Sequence, residues 1–301
     1  MKTALRVAWL FVAYGAIAWG GEQAMGLLAQ ERAVEPPAQE PVVVSTVIDV
    51  EPVVEVVPVV DVRVRPEIVA RVQVRHSGQC TYESEREMTL PASGGESLRI
   101  RSGAGELHVE GRDGLEEVVV VGLLCASHEE YLDALAVRAE QASDGEILVD
   151  THYPADRSWR GDGHDVARID LTVLVPRGMA VGIDDSSGDL VVSGTGDLRI
   201  EDSSGSVHVS DIDGDVDIDD GSGGLEVESI AGSLSVDDGS GSVAIADVGG
   251  DVRVSDGSGS IDVRRVGGDF VVVSDGSGGI RHSGVEGQVD VPEKKRRKRR
   301  R

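Results

Sequence analysis

Aspartate is the residue through which this sequence is most able to do chemistry, because a carboxylate can bind a cation or accept hydrogen bonds. The stretch DIDGDVDIDDGSGG, residues 211–224, carries an acid at almost every second position. Such an aspartate either shapes a turn or binds Ca²⁺. One aspartate also stands three residues before each glycine of a recurring GSG-type turn, at Asp185, Asp202, Asp220, Asp238, Asp256 and Asp275.

If these turns stack on one another, the six aspartates, here called the aspartate ladder, form a column with about 4.8 Å between neighbours. Like charges at that spacing repel by about 1 kcal/mol in water and by about 3–4 kcal/mol at an effective dielectric constant near 20. Two interpretations explain what offsets this repulsion. Each carboxylate accepts hydrogen bonds from the amides of its own turn, as in an Asx-turn, or Ca²⁺ binds between successive turns.

Known calcium motifs do not fit this pattern. An EF-hand loop needs glycine at its sixth position, but counting from Asp215 that position holds Asp220, and helical flanks are missing. The calcium-binding nonapeptide GGxGxDxUx shares only the nine-residue period. We therefore predict no cofactor, and Ca²⁺ on the aspartate ladder remains the alternative.

The elements that must position the aspartates are short strands, because the chain repeats from residue 181 onward. Glycines recur at intervals that are mostly nine residues and are followed by G-x-[LVIF]-x-[VI], which only His282 interrupts, in an inward slot. Alternation with a period of two indicates strands, and the glycines indicate tight turns. Two kinds of nine-residue unit alternate. We predict an all-β fold, a parallel β-solenoid with 18-residue coils of two nine-residue strand-turn units.

Residues 80–180 predict an irregular, β-rich N-terminal part of the same solenoid domain, and residues 181–291 its regular repeats. The segment SHEEYLDAL predicts one short helix, because Ser127 followed by Glu130 three residues later has the spacing of a capping box. The segments LAVRAEQ, EILVDTHY and VARIDLTVLVP predict strands.

Three further segments differ in composition from the repeats. Residues 1–18 have the basic start and short apolar run of a signal peptide, which is either cleaved or kept as an anchor. Residues 19–79 form a Val/Pro-rich, low-complexity stalk, since its prolines exclude a helix. Residues 292–301 form a polybasic tail with the cations Lys294, Lys295, Arg296, Arg297, Lys298, Arg299, Arg300 and Arg301.

The charge is divided between an acidic body and this basic tail. The formal net charge is -25, and removing the eight cations of residues 294–301 leaves -25 - 8 = -33 for the rest. An acidic body repels phosphates, which excludes nucleic acid as its partner. The tail either binds anionic lipid, lipopolysaccharide or wall polymers, or folds back on the acidic body.

Cys80 and Cys125 are the only cysteines of the chain. Because the chain has the features of an exported protein, we expect them to form a disulfide, with two buried free thiols as the alternative.

No catalytic motif stands out in the sequence. The seven histidines are scattered without an HExxH spacing, and no serine lies in a nucleophile elbow. Aromatic residues are only 3% of the chain, so stacking platforms for bases or sugars are scarce. We predict a protein that is not an enzyme.

The run VARIDLTVLVPRGMAVGIDDSSGDLVVSGTGDLRIED, followed by repeated G-[DS]-V-x-V units, resembles the bacterial putative-adhesin family of β-strand-repeat domains of unknown function. The resemblance covers roughly residues 95–291. It implies an extracytoplasmic β-solenoid without established catalysis, and it supplies no site residues.

These observations predict an exported, non-catalytic, adhesin-like β-solenoid that binds a surface or the envelope through its acidic faces and its polybasic tail. The expected partner is an envelope or extracellular ligand: a protein, a polysaccharide or an anionic lipid. Membrane association through the N-terminal segment or the tail is also consistent with the sequence. The alternative is a structural or sensory scaffold of the envelope, stiffened by turn aspartates or Ca²⁺.

Overall fold

The computed structural model describes residues 80–92, 97–153 and 165–292, most of which lie in β-strands. The predicted signal peptide and stalk and the basic residues of the tail lie outside these ranges. One helix, α1, spans Glu129–Ala134. The strands are β1 (Tyr82–Pro91), β2 (Ser97–Arg101), β3 (Leu107–Arg112), β4 (Glu117–Ala126), β5 (Ala136–Gln141), β6 (Ile147–His152), β7 (Ala167–Pro176), β8 (Ala180–Asp185), β9 (Leu190–Ser193), β10 (Leu198–Asp202), β11 (Gly205–Ile212), β12 (Val216–Asp220), β13 (Gly223–Ile230), β14 (Leu234–Asp238), β15 (Gly241–Val248), β16 (Val252–Asp256), β17 (Gly259–Val266), β18 (Phe270–Asp275), β19 (Gly278–Val285) and β20 (Val289–Asp290).

The strands form two ten-stranded sheets that enclose one apolar core. Sheet A has the order β1-β4-β7-β3-β9-β11-β13-β15-β17-β19, and sheet B has the order β20-β18-β16-β14-β12-β10-β8-β2-β6-β5. From β8 onward, successive strands alternate between the sheets, so that each coil contributes one strand to each. The predicted parallel β-solenoid with 18-residue coils is confirmed.

The core consists of columns of aliphatic side chains, because the register pairs residues 18 positions apart. Val216 pairs with Leu234 and Ile218 with Val236, and all four are at most 2% exposed. The residues between them point outward. Full burial of each such side chain stabilises the fold by about 1.5–3 kcal/mol.

Each coil of sheet A ends in one residue with a left-handed backbone. The φ angles are 57° at Asp211, 59° at Ser229, 59° at Asp247 and 56° at Arg265, and glycine takes this conformation at Gly194 and Gly284. Left-handed φ costs a residue with a Cβ about 1–2 kcal/mol. The turn therefore imposes strain at the four positions that are not glycine.

We expect Ser229→Gly to raise the free energy of unfolding by about 1 kcal/mol, because glycine takes the left-handed conformation without steric cost. Ser229 is exposed, so little packing is lost. The measurement is chemical unfolding of the two proteins in parallel. Ser242→Gly is the matched control: Ser242 is exposed in β15 and lies outside the positive-φ set, so glycine there should lower stability slightly. A loss of stability in Ser229→Gly would contradict the expectation.

The N-terminal part is irregular, as predicted. β1 and β4 are antiparallel to their neighbours in sheet A, and β5 pairs antiparallel with β6 in sheet B. Helix α1 forms, but the predicted capping box does not: the N-cap is His128, without a side-chain cap. The Ser127 hydroxyl instead accepts the Val166 N–H at 3.0 Å, which ties it to the segment before β7. In the part of the chain that the structure describes, no helix has the length and hydropathy of a membrane span.

The two ends of the coil stack differ. At the N-terminal end, antiparallel strands and helix α1 cover the core, and Leu135 is 5% exposed. At the C-terminal end, Val289 is 39% exposed and Ile280 and Val285 are only half-buried. His282 lies in register with buried Val263 and 5.9 Å from the Phe270 ring, yet it is exposed. The last coil therefore packs on one side only.

Candidate functional site

The aspartate ladder lies at one corner of the solenoid, where each strand of sheet B ends. The parallel register places each rung directly beside the next, from Asp185 through Asp275. The rungs Asp185, Asp202, Asp220, Asp238 and Asp256 are at most 5% exposed, and Asp275 is half-buried. The ladder is thus a column of buried carboxyl groups.

One oxygen of each central rung bonds to its own turn. Oδ1 of Asp220 accepts the N–H of Ser222 at 3.1 Å, and Oδ1 of Asp238 accepts the N–H of Ser240 at 3.0 Å. Both contacts are those of an Asx-turn. The Oδ2 atoms of Asp202, Asp220 and Asp238 are buried and receive no hydrogen bond from the described residues.

Burial is also the main reason why the pKa values of the ladder aspartates are raised. It raises the pKa of Asp202 to about 6, with further increases from Asp185 and Asp220. It raises the pKa of Asp238 to about 6, with further increases from Asp220 and Asp256. The pKa values of Asp185 and Asp220 are also raised, mainly by burial.

The burial of the ladder is not among the sequence predictions, although its signal is present. Asp202 follows Leu198 and Ile200 in steps of two, and alternation in a strand then places it on the same inward face. Asp220 follows Val216 and Ile218 in the same way. Among the described residues, no group of three or more His, Cys, Asp and Glu side chains is arranged to hold a metal ion.

A second set of aspartates joins neighbouring coils at the opposite end of the sheet B strands. Oδ1 of Asp197 accepts the Asp215 N–H at 3.0 Å, and Oδ1 of Asp215 accepts the Ser233 N–H at 2.7 Å. Asp251 binds the Asp269 N–H at 2.8 Å in the same manner. These exposed acids therefore hold successive coils in register.

The outer face of sheet B carries a trough with a volume of about 660 Å³. Its floor crosses the six neighbouring strands β2, β8, β10, β12, β14 and β16, a length of about 24 Å at the usual strand spacing. The outward residues along it are, in order, Arg99, Gly182, Arg199, Asp217, Ser235 and Arg253.

Gly182 leaves a gap in this face, because it has no side chain and lies between Arg99 and Arg199 in the register. A Cβ atom added there would meet only the Leu98 carbonyl oxygen, at 3.9 Å. The two arginines are held by acids: Arg99 lies 3.4 Å from Glu146, and Arg199 lies 2.6 Å from Asp217. The trough thus offers fixed guanidinium donors beside carboxylate acceptors.

Cys80 and Cys125 form a disulfide that fastens the start of β1 to β4, with Cα atoms 5.4 Å apart. Cys125 is fully buried. The basic residues 294–301 lie outside the described residues, so the role of the tail stays a prediction.

No family model matches the chain, and no curated protein matches it. Solved structures of similar fold include a putative adhesin from Bacteroides fragilis, which is 14% identical, matches 70% of this chain and 97% of its own, and has a TM-score of 0.41. A putative lipid binding protein from Parabacteroides distasonis is 12% identical over 70% of this chain and 98% of its own, with a TM-score of 0.38. A putative cell adhesion protein from Clostridium sporogenes is 15% identical over 70% of this chain and 100% of its own, with a TM-score of 0.31.

Proposed function

We propose that the protein is a non-catalytic, extracytoplasmic, adhesin-like binding protein whose trough on sheet B holds an extended polymer. The observation that supports this proposal is the trough itself, which crosses six parallel strands. A linear ligand lying across the strands contacts the side chains of the next strand about every 4.8 Å. That interval is comparable with one sugar ring of a linear polysaccharide.

The chemistry of the trough favours a polysaccharide over a lipid tail. The hydroxyl groups of a sugar donate hydrogen bonds to the carboxylates of Asp217 and Asp184 and accept them from Arg199 and Arg253. An acyl chain has neither donors nor acceptors. Arg99 and Arg199 are paired with neighbouring acids, so these two side chains lose less conformational entropy on binding than unpaired arginines would.

In this proposal the remaining segments deliver and attach the binding domain. Residues 1–18 direct export, residues 19–79 act as a stalk, and the cations of residues 294–301 hold the protein to an anionic envelope surface. The solenoid domain of residues 80–291 then presents the trough.

The test fills the trough with one side chain. Gly182→Leu should reduce binding to immobilised cell-wall and extracellular polysaccharides at least tenfold, which corresponds to about 1.4 kcal/mol. It should leave the thermal melt close to that of the original, because a Cβ at Gly182 has room.

Gly224→Leu is the matched control, since a Cβ at Gly224 meets nothing within 4 Å and this residue lies on sheet A. It should bind as the original does. Removal of residues 293–301 in the same assay separates the tail from the trough. Equal binding by the two leucine variants would rule out the trough as the site.

A further inference from the structure

We propose that the buried aspartate ladder stores protons at alternate rungs and makes the solenoid most stable in mildly acidic conditions. The proposal is independent of the trough and of its ligand. It concerns Asp185, Asp202, Asp220, Asp238 and Asp256, which form one continuous buried column.

The geometry leaves one oxygen of each central rung in need of a partner. Oδ1 of Asp220 and of Asp238 is already used by the turn, whereas Oδ2 is buried and receives no donor from the described residues. A buried oxygen without a donor costs about 1–3 kcal/mol, and more when it is charged. Protonation of one rung converts its Oδ2 into a donor toward the carboxylate of the next rung.

The charged groups that act on the four rungs from Asp185 to Asp238 are acids, as far as the described residues show. On their own strands the nearest charged groups are Asp219, beside Asp220, and Asp237, beside Asp238. At the N-terminal end, the Ser102 hydroxyl donates to Asp185, and the Tyr153 phenol lies nearby. Among the described residues, no Arg, Lys or His contributes to the pKa of any rung whose pKa is shifted. A proton is therefore the cation that fits this buried column.

The expected pH dependence of the free energy of unfolding follows from the raised pKa values. Burial and the neighbouring rungs raise the pKa of Asp202 and of Asp238 to about 6, against 3.8 ordinarily. Between these values the folded chain holds protons that the unfolded chain releases. Stability therefore rises as the pH falls from neutral through 6 toward 4. The exposed ion pairs of Asp211, Asp247 and Asp262, whose pKa values are lowered, weaken only at still lower pH.

The experiment is thermal unfolding of the full chain between pH 4.5 and 7.5, with EDTA present. We expect Tm to be highest near pH 4.5, the acid end of this range, and to fall by roughly 5 °C or more by pH 7.5. Asp238→Asn places a permanent amide donor on one rung, so it should raise Tm at pH 7.5 and flatten the pH dependence. Asp237→Asn, one residue away and exposed, is the control. Asp237 is the smallest of the causes that raise the pKa of Asp238, so this variant should keep most of the original slope.

Two results would overturn the proposal. One is a Tm that stays level or rises between pH 5 and 7.5 in the original chain. The other is stabilisation by millimolar Ca²⁺ at pH 7.5 that Asp238→Asn abolishes, which would make the ladder a calcium site. If Asp238→Asn does not fold, NMR titration of the aspartate carboxyl carbons in the original chain decides the question. Midpoints near 6 support proton storage, and midpoints all below 4.5 exclude it.

Discussion

Gly223→Ala is expected to lower the free energy of unfolding by about 3 kcal/mol or more. The φ angle of Gly223 is 154°, and a Cβ built on it would lie 1.5 Å from the Gly205 carbonyl oxygen. Gly205 cannot yield, because it pairs with Gly223, which in turn pairs with Gly241 in the same parallel register. The methyl group must therefore force two coils apart at the corner.

Chemical unfolding of Gly223→Ala beside Gly224→Ala gives the measurement. The two glycines are adjacent in β13, but a Cβ at Gly224 meets nothing within 4 Å. Gly224→Ala should stay within about 0.5 kcal/mol of the original. Similar losses in the two variants would mean that the close approach of the stacked turns does not limit stability.

Loss of the disulfide between Cys80 and Cys125 is the second large effect we expect. The cysteines are 45 residues apart, and closing a loop of that size stabilises a fold by about 4 kcal/mol. Reduction of the original chain should lower Tm, and the double variant Cys80→Ala/Cys125→Ala should melt near the reduced protein. Thermal melts with and without dithiothreitol measure both.

The double variant also serves as the control for the reductant. Dithiothreitol should leave its Tm unchanged, because it has no cysteine left. An original chain whose Tm does not respond to complete reduction would show that β1 is held by its pairing with β4 alone.

Much of the regular solenoid could be predicted from local pattern. Leu198 and Ile200, and 18 residues later Val216 and Ile218, occupy the same inward slots, so that alternation and period together define the coil. The position of each ladder aspartate could be predicted in the same way. The turn amide that bonds to Oδ1 is one of the two interpretations drawn from the sequence, and it is found at Asp220 and Asp238. The burial of Oδ2 without a donor from the described residues could not be predicted, because it depends on how the neighbouring coil packs.

The trough and the left-handed turns could not be predicted, for different reasons. The trough depends on β2 lying beside β8, a pairing between segments far apart in the chain and outside the repeat. The left-handed positions are filled by two aspartates, a serine and an arginine, at Asp211, Asp247, Ser229 and Arg265, so no single type of side chain marks them. The prediction of a capping box at Ser127 is wrong, because the Val166 N–H binds the same hydroxyl.

Because the two ends of the coil stack are packed differently, the domain should unfold under mechanical load from its C-terminal end. Each coil contacts only the coils beside it, and in such stacks opening begins where one neighbour is missing. The disulfide and antiparallel strands secure the start, whereas β19 and β20 present a thinly packed end. A load applied through residues 292–301 would therefore peel the last coil first. Extension would proceed in steps of one coil while the earlier coils keep their register. The last coil would release 19 residues, the spacing of Gly259 and Gly278, and the two coils before it 18 residues each.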